Sequence, residues 1–190
     1  MLALALVGLC LLARPASAQS LAEVAVGGVL PSQPFGAPWT ASGGVAARLA
    51  LPLHGGTADA VLRVLPFDAP PPPDDGAAVP GFLLVGATLG WGPTLRLGPA
   101  EATPLARVGA VQFRFDPDVD VPQFAGNESE VEVAVGGALR VAVPLGRVAV
   151  WAEGEALRIA LADPETLASL SAGVALRLGV PPGVRRLLDE

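Results

Sequence analysis

Residues 81–98 read GFLLVGATLGWGPTLRLG, and this stretch decides the fold. Large apolar side chains such as Leu83, Leu89 and Trp91 occupy odd positions, whereas glycine, threonine or arginine occupies the even positions from Gly86 onward. A period of two residues is that of a β-strand with one apolar face. The interleaved glycines disfavour a helix over the same residues. The stretch therefore predicts a strand with a small or polar second face.

Seven further stretches show the same alternation. They are residues 21–30, 43–53, 57–65, 103–115, 129–143, 147–161 and 170–180. The stretch 129–143 is densest in valine, which favours strands because its branched side chain packs well on a pleated surface. The chain therefore predicts eight strands.

Two of these stretches are less regular. Arg107 falls on the face of Phe113 and Phe115, which predicts either a snorkelling arginine near an interface or a bulge that shifts the phase. In 147–161 the apolar residues change phase and Leu157 and Ile159 take over the apolar side, which predicts a bulge near Gly154.

The connectors between the strands alternate in length. Short ones rich in glycine or proline, typical of hairpins, lie at 54–56, 99–102 and 144–146. Longer ones lie at 31–42, 66–80, 116–128 and 162–169. An even strand number with short turns at one end and long loops at the other is typical of outer-membrane barrels. The sequence predicts an all-β fold, an eight-stranded antiparallel up-and-down transmembrane β-barrel arranged as a meander.

Residues 1–18 have the pattern of a signal peptide. The apolar run 2–12 is too short to span a bilayer as a helix, and Ala16-Ser17-Ala18 has the small residues that precede a cleavage site. Cleavage there would remove Cys10, the single cysteine, so no disulfide is expected. The predicted organisation is a signal peptide at 1–18, a barrel domain at 19–180 and a C-terminal tail at 181–190.

Composition and charge bear on two further possibilities, a membrane helix and a nucleic-acid partner. After residue 18 no run of 18 apolar residues occurs, which excludes a membrane helix, yet mean hydropathy is +0.54. The full chain has 12 basic and 18 acidic residues, a net charge of −6. Cleavage after residue 18 would remove Arg14 and leave 11 arginines and 18 acidic residues, a net charge of −7. This balance argues against nucleic acid as a partner.

With apolar faces outward, most strand charges point into the lumen. The predicted lumen charge cluster comprises six acids and six arginines: Glu23, Arg48, Asp59, Arg63, Arg96, Glu130, Glu132, Arg140, Glu153, Glu155, Arg158 and Arg177. The interior of an eight-stranded barrel is just wide enough for side chains to fill, and buried charges must pair. We expect structural packing of paired charges, with an ion path or gate as the alternative.

Candidate chemistry elsewhere is weak. His54 is the single histidine and sits in a predicted turn, whereas a catalytic triad or histidine metal site needs further partners. Residues 116–120, DPDVD, begin like a calcium loop, but Val121 and Asn127 replace the glycine and glutamate that such a loop requires. No catalytic, cofactor or metal residue is predicted, and the chain is expected to be neither an enzyme nor a cofactor protein.

Aromatic residues give a thin interfacial belt. Trp91 lies on a face predicted to point outward, and Phe113 and Phe115 are candidates for the same girdle. Four consecutive prolines at 70–73 predict a stiff extended segment or an ordinary polar loop.

The signal peptide, the eight alternating strands, the order of short turns and long loops, and the inward charges together resemble the small outer-membrane β-barrel superfamily, of the OmpA-transmembrane-domain or OmpX-like kind. The resemblance covers nearly all of 21–180 and is one of pattern, so no site residue is carried over. It implies a monomer in the outer membrane of a diderm bacterium, in contact with outer-membrane lipid and inserted by the barrel-assembly machinery. The implied role is structural, adhesive or concerned with small solutes.

In one alternative the apolar face of the wall points inward instead of outward. A secreted soluble lipocalin-like barrel that binds an apolar ligand would point Val131 and Val133 inward and leave Glu130 and Arg140 in water. The direction of the valine face therefore separates the two interpretations.

Overall fold

The computed structural model describes residues 14–15, 21–32, 39–69, 80–115, 129–161 and 163–180. The eight long strands are β1 Leu21–Pro31, β2 Gly44–Leu53, β3 Gly56–Asp68, β4 Phe82–Pro93, β5 Ala100–Phe115, β6 Ser129–Leu145, β7 Val148–Ile159 and β8 Glu165–Gly179. Three short paired segments are Arg14–Pro15, Thr40–Ala41 and Leu95–Leu97. Over the described residues, no helix has the length and apolarity needed to cross a membrane.

The eight strands close into a barrel. Each strand pairs antiparallel with its neighbours in the chain, and β8 returns to pair with β1, so that Leu170 lies opposite Leu30 and Gly179 opposite Leu21. Closure leaves no unpaired strand edge among the eight. The predicted eight-stranded antiparallel up-and-down barrel is confirmed.

Three two-residue turns define one end of the barrel, called here the short-turn end. His54 and Gly55 both have positive φ, 47° and 73°, which is the conformation of a type I′ hairpin turn. Gly98 and Gly146 lead the other two turns with φ of 64° and 72°. The turn predicted at 99–102 is shorter than expected, because β5 already begins at Ala100. The opposite end, which carries the four longer connections, is called the long-loop end.

The apolar face of the wall points outward. Val131, Val133 and Val135 are 65%, 56% and 49% exposed, while Arg140 on the opposite face of β6 is buried. The other strands expose Val24, Val26, Leu30, Val45, Leu49, Leu62, Leu89, Trp91, Val108, Val150, Leu170, Val174 and Leu176. This orientation is the one expected for a wall in lipid, and it is the reverse of what the lipocalin-like alternative requires.

The predicted bulge in β7 is wrong. Its residues pair without interruption with β6, from Val148 opposite Leu145 to Ile159 opposite Ala134. The strand therefore keeps one phase, and Leu157 and Ile159 are buried in the lumen. The change in the sequence pattern reflects a change in what fills the interior, since the inward residues become apolar near the long-loop end.

An apolar plug fills the long-loop half of the lumen. Its buried members are Val29, Leu65, Phe67, Phe82, Leu84, Val111, Phe113, Ala134, Leu157, Ile159 and Leu167. Phe82 contacts four rings, with centroids 4.6 Å from Phe67, 5.5 Å from Trp39, 5.6 Å from Phe113 and 6.0 Å from Phe115. The prediction that Phe113 and Phe115 join an outward girdle is therefore wrong.

Candidate functional site: the charged lumen

Between the apolar plug and the short turns, charged side chains from seven strands, all except β4, fill the lumen. The group nearest the plug, called here the central cluster, contains three arginines and three carboxylates: Arg48, Arg63, Arg107, Asp59, Glu153 and Glu155. All six are buried, and they come from β2, β3, β5 and β7. The central cluster is electrically neutral.

Arg107 is the hub of the central cluster. Its side chain is 0% exposed. One guanidinium nitrogen, Nη2, donates to Asp59 Oδ2 at 2.6 Å, and the other, Nη1, donates to Glu153 Oε1 at 2.9 Å and Glu155 Oε1 at 2.6 Å. A single arginine therefore bonds every carboxylate of the cluster, through charge-assisted hydrogen bonds.

The other two arginines complete the charge balance. Arg48 pairs with Glu153 and, through Nε, with Asp59 Oδ2 at 3.2 Å. Its guanidinium carbon also lies 4.9 Å from the centroid of the buried Trp151 ring, within the range of a cation–π contact. Arg63 pairs with Glu155 and donates to Thr88 Oγ1 at 3.3 Å.

Two glycines of β4 make room for this cluster. A Cβ at Gly90 would clash with Asp59 Oδ1 and would lie 3.0 Å from Arg107 Cγ. A Cβ at Gly86 would lie 3.0 Å from Arg63 Cγ. The glycines that alternate with large residues in 81–98 thus provide the space that the charged side chains occupy.

A second group, called here the short-turn cluster, lies closer to the hairpins. Arg140 pairs with Glu23, while Arg177 lies between two acids, 3.3 Å from Glu23 Oε1 and 3.4 Å from Glu101 Oε2. Two arginines and two glutamates again balance. Seven of the nine ion pairs in the two clusters join strands that are not neighbours in the sheet, so these pairs cross the lumen. The other two, Arg48 with Asp59 and Arg177 with Glu23, join neighbouring strands.

A small cavity lies beside the short-turn cluster. Its volume is about 40 Å³, enough for a few water molecules, and its lining includes Glu101, Arg140 and the turn residue His54. Threonine hydroxyls line the same space, with Thr94 Oγ1 2.8 Å from Thr57 Oγ1 and 3.0 Å from Thr103 Oγ1. The cavity has a mixed polar and apolar lining and is too small for a solute larger than a few atoms.

The structure brings eight of the twelve predicted lumen charges into the two clusters. These eight are Glu23, Arg48, Asp59, Arg63, Arg140, Glu153, Glu155 and Arg177. Two others, Glu130 and Glu132, are half-buried at the long-loop end, in register with Phe113 and Val111 of the apolar plug. The expected position of Arg96 is wrong, because it is exposed at the short-turn end. That of Arg158 is also wrong, because the unbroken phase of β7 turns it outward.

Sequence reasoning missed two members. Arg107 was predicted either to snorkel near an interface or to lie beside a bulge. Both predictions are wrong, because β5 pairs without interruption with β4 and β6, and the face that Arg107 shares with Phe113 points inward. Glu101 was assigned to a turn, although Gly98 and Pro99 already suffice for a two-residue hairpin. The charge of Arg107 was the available signal, because an inward position avoids the cost of an arginine that faces lipid.

The other residues singled out in the sequence lie outside the two clusters. Among the described residues, no group of three or more histidine, cysteine, aspartate or glutamate side chains could hold a metal ion. His54 is exposed in its hairpin turn. The calcium-loop resemblance at 116–120, the proline run at 70–73 and the tail at 181–190 lie outside the described residues, as does most of 1–18.

No family model matches the sequence, and no curated protein matches it. Solved structures do match the fold. Ail, the attachment invasion locus protein of Yersinia pestis, in complex with the heparin analogue sucrose octasulfate, is 10% identical with a TM-score of 0.58. The match covers 83% of this chain and 98% of Ail. Neisserial surface protein A is 14% identical with a TM-score of 0.60, and the match covers 85% of this chain and 99% of that one.

These likenesses agree with the fold predicted from the alternating strands. The chain has the fold of the small eight-stranded outer-membrane β-barrels. At this level of identity the likeness carries the fold alone.

Proposed function

We propose that this protein is a non-enzymatic outer-membrane scaffold whose closed barrel holds four long connections at the cell surface. In this proposal the lumen is a structural core rather than a conduit. The role is structural or adhesive, and it excludes the passage of small solutes. The observation that carries the proposal is the filling of the lumen by two neutral ionic clusters and an apolar plug.

The outer face supports the membrane location. Valines and leucines of all eight strands point away from the lumen, and an arginine facing the bilayer midplane would cost about 2–4 kcal/mol. The ten charged residues of the two clusters avoid this cost because they face inward and pair. The same face in water would be an apolar patch around the whole molecule, far larger than soluble monomers expose.

The interior supports a closed barrel. Arg107 alone ties together carboxylates from β3 and β7, and the plug behind it contains side chains such as Leu65 and Leu84 that are 0% exposed. An ion that crosses the lumen would have to break several charge-assisted hydrogen bonds and then pass an apolar region. Both steps oppose conduction.

The charge of the long connections bears on what they contact. Residues 32–43, 69–81, 116–128 and 160–164 contain seven acidic residues and no arginine, lysine or histidine. The Ail structure that shares this fold holds a polysulfated sugar. Seven carboxylates would repel such a polyanion, so an adhesive role here calls for a cationic partner or one bridged by divalent cations.

The test begins with location and conductance. We expect the protein in the outer-membrane fraction, extractable only with detergent, and migrating faster on a gel before boiling than after it. Purified and inserted into planar bilayers in 1 M salt, it should give no steady conductance steps. Recovery as a freely soluble periplasmic protein would overturn the membrane location, and steady single-channel steps would overturn the closed scaffold.

A second test examines whether the acidic connections repel a polyanion. The detergent-solubilised barrel should pass through a heparin column at low salt without retention. A variant with Asp116, Asp118 and Asp120 all changed to asparagine serves as the matched chain with less charge, and it should show retention no weaker than the parent. Firm retention of the parent chain would contradict the inference from the acidic connections.

A further inference from the structure

The outer wall has a trough along β7. The outward residues of this strand are small over three consecutive positions, Ala152, Gly154 and Ala156, and the next outward residue is Arg158. Because alternate residues of a strand share a face, these four side chains lie in one row about 20 Å long. Over much of the rest of the wall, large side chains such as valine, leucine and tryptophan are exposed.

Neighbouring strands form the sides of the trough. Gly154 lies between Leu139 of β6 and Leu170 of β8. The two leucines form a ridge that runs across the strands, and Gly154 is the gap in this ridge. Two hollows of about 870 and 690 Å³ lie on either side of this ridge, the first beside Ala156 and the second beside Ala152. Gly154 lines both hollows. The lining of both is predominantly apolar, as a site for an acyl chain requires.

Arg158 caps the trough at the long-loop end. It is exposed on the outer wall, between Val135 of β6 and Thr166 of β8. No carboxylate among the residues the structure describes forms an ion pair with it. A cation at this height is placed to meet a headgroup, because an arginine near a membrane surface is stabilised by anionic lipid.

We infer that the β7 trough is a binding site for one phosphate-bearing lipid, with an acyl chain along Ala152, Gly154 and Ala156 and the phosphate on Arg158. The inference rests on the proposed membrane location. Charge complementarity selects this occupant over a second copy of the chain, since a symmetric dimer through this face would bring two unpaired Arg158 side chains together.

Arg114 provides a matched control. It too is exposed on the outer wall at the long-loop end, next to Leu83 and Ser129. Below it, the outward position holds Gln112 between Val85 and Val131, so side chains fill the wall and no trough leads to the arginine. A general attraction of arginine for anionic lipid would act equally at both positions.

The test uses native mass spectrometry of the barrel released from detergent after titration with either of two phospholipids of identical acyl chains. Phosphatidylglycerol supplies a net anionic phosphate, and phosphatidylcholine supplies a zwitterionic headgroup. We expect one phosphatidylglycerol retained with about a fivefold preference. Arg158→Gln should abolish the preference, Gly154→Leu should remove retention of both lipids, and Arg114→Gln should change neither.

Gel migration before and after boiling, measured on each variant, shows whether its barrel is folded. A folded Arg158→Gln barrel that keeps the preference would overturn the site. An effect of Arg114→Gln as large as that of Arg158→Gln would overturn it too, because the trough would then add nothing. A dimer that Gly154→Leu dissociates would show that a second copy occupies this face instead. Failure of the proposed membrane location would show itself separately, as a chain that needs no detergent.

Discussion

The two halves of the lumen are built by the same strands with opposite chemistry. Toward the short turns the inward residues are arginines and carboxylates, while toward the long loops they are leucine, isoleucine, valine and phenylalanine. The hydrogen-bond ladders join neighbouring strands in both halves. Only the charged half adds specific bonds between strands that are far apart around the barrel, such as Arg48 of β2 with Glu153 of β7.

The two halves of the lumen should therefore respond differently to mutation. An apolar plug tolerates many packings of similar volume. Buried ion pairs contribute little net stability compared with a well-packed apolar core, but removal of one partner leaves an uncompensated buried charge. The charged half should therefore respond sharply to single charge removals, and the plug should respond in proportion to the volume removed.

Arg107→Met should cause the largest loss of stability. The change leaves Asp59, Glu153 and Glu155 with only two arginines, so we expect the free energy of unfolding to fall by about 3–5 kcal/mol. Urea unfolding in lipid vesicles, followed by tryptophan fluorescence, measures this. Arg96→Met makes the same chemical change at an exposed site, and its effect should stay within about 0.5 kcal/mol. Equal losses for the two variants would contradict a special role for the central cluster.

Leu65→Ala should cost about 3 kcal/mol, because it opens a cavity in the apolar plug at a side chain that is 0% exposed. Leu62→Ala on the same strand is the control, since Leu62 faces outward and is 53% exposed. Its loss should be much smaller, because acyl chains are as apolar as leucine and replace the missing contacts. The same urea titration compares them, and a larger loss for Leu62→Ala would reverse the assignment of the two faces.

Gly90→Ala should cost about 2 kcal/mol through overpacking, since the new Cβ meets Asp59 Oδ1 and Arg107 Cγ. Gly28→Ala is the matched change on an outward position where no atom lies within 4 Å of the new Cβ. It should leave stability unchanged or raise it by about 0.5 kcal/mol, because alanine has less conformational freedom to lose. Unfolding titrations that rank the two variants the other way would show that the glycines do not make room for the central cluster.

Much of the fold could be predicted because the physical signals are local. Alternation with a period of two, short turns that contain glycine and long acidic connections are all visible within about 20 consecutive residues. The eight strands and the outward direction of Val131 and Val133 followed from them. The rule that apolar means outward failed only where the lumen itself turns apolar, at Leu157, Ile159 and Phe113.

The partners within the clusters could not be predicted. Arg48 and Glu153 are 105 residues apart in the chain, and Arg140 and Glu23 are 117 apart. Their contact depends on the stagger of the closed barrel, which no local pattern contains. The balance of inward charge could be anticipated, whereas the identity of each pair required the structure.

Double-mutant cycles on Arg140 should give the smallest effect and separate two possible partners. Glu153 lies opposite Arg140 in the β6–β7 register, whereas Glu23 forms the ion pair across the lumen. Cycles of Arg140→Met with Glu23→Gln should give a coupling energy of about 1 kcal/mol, and cycles with Glu153→Gln should give less. A larger coupling with Glu153 would mean that neighbouring strands, rather than strands across the lumen, hold the charges in place.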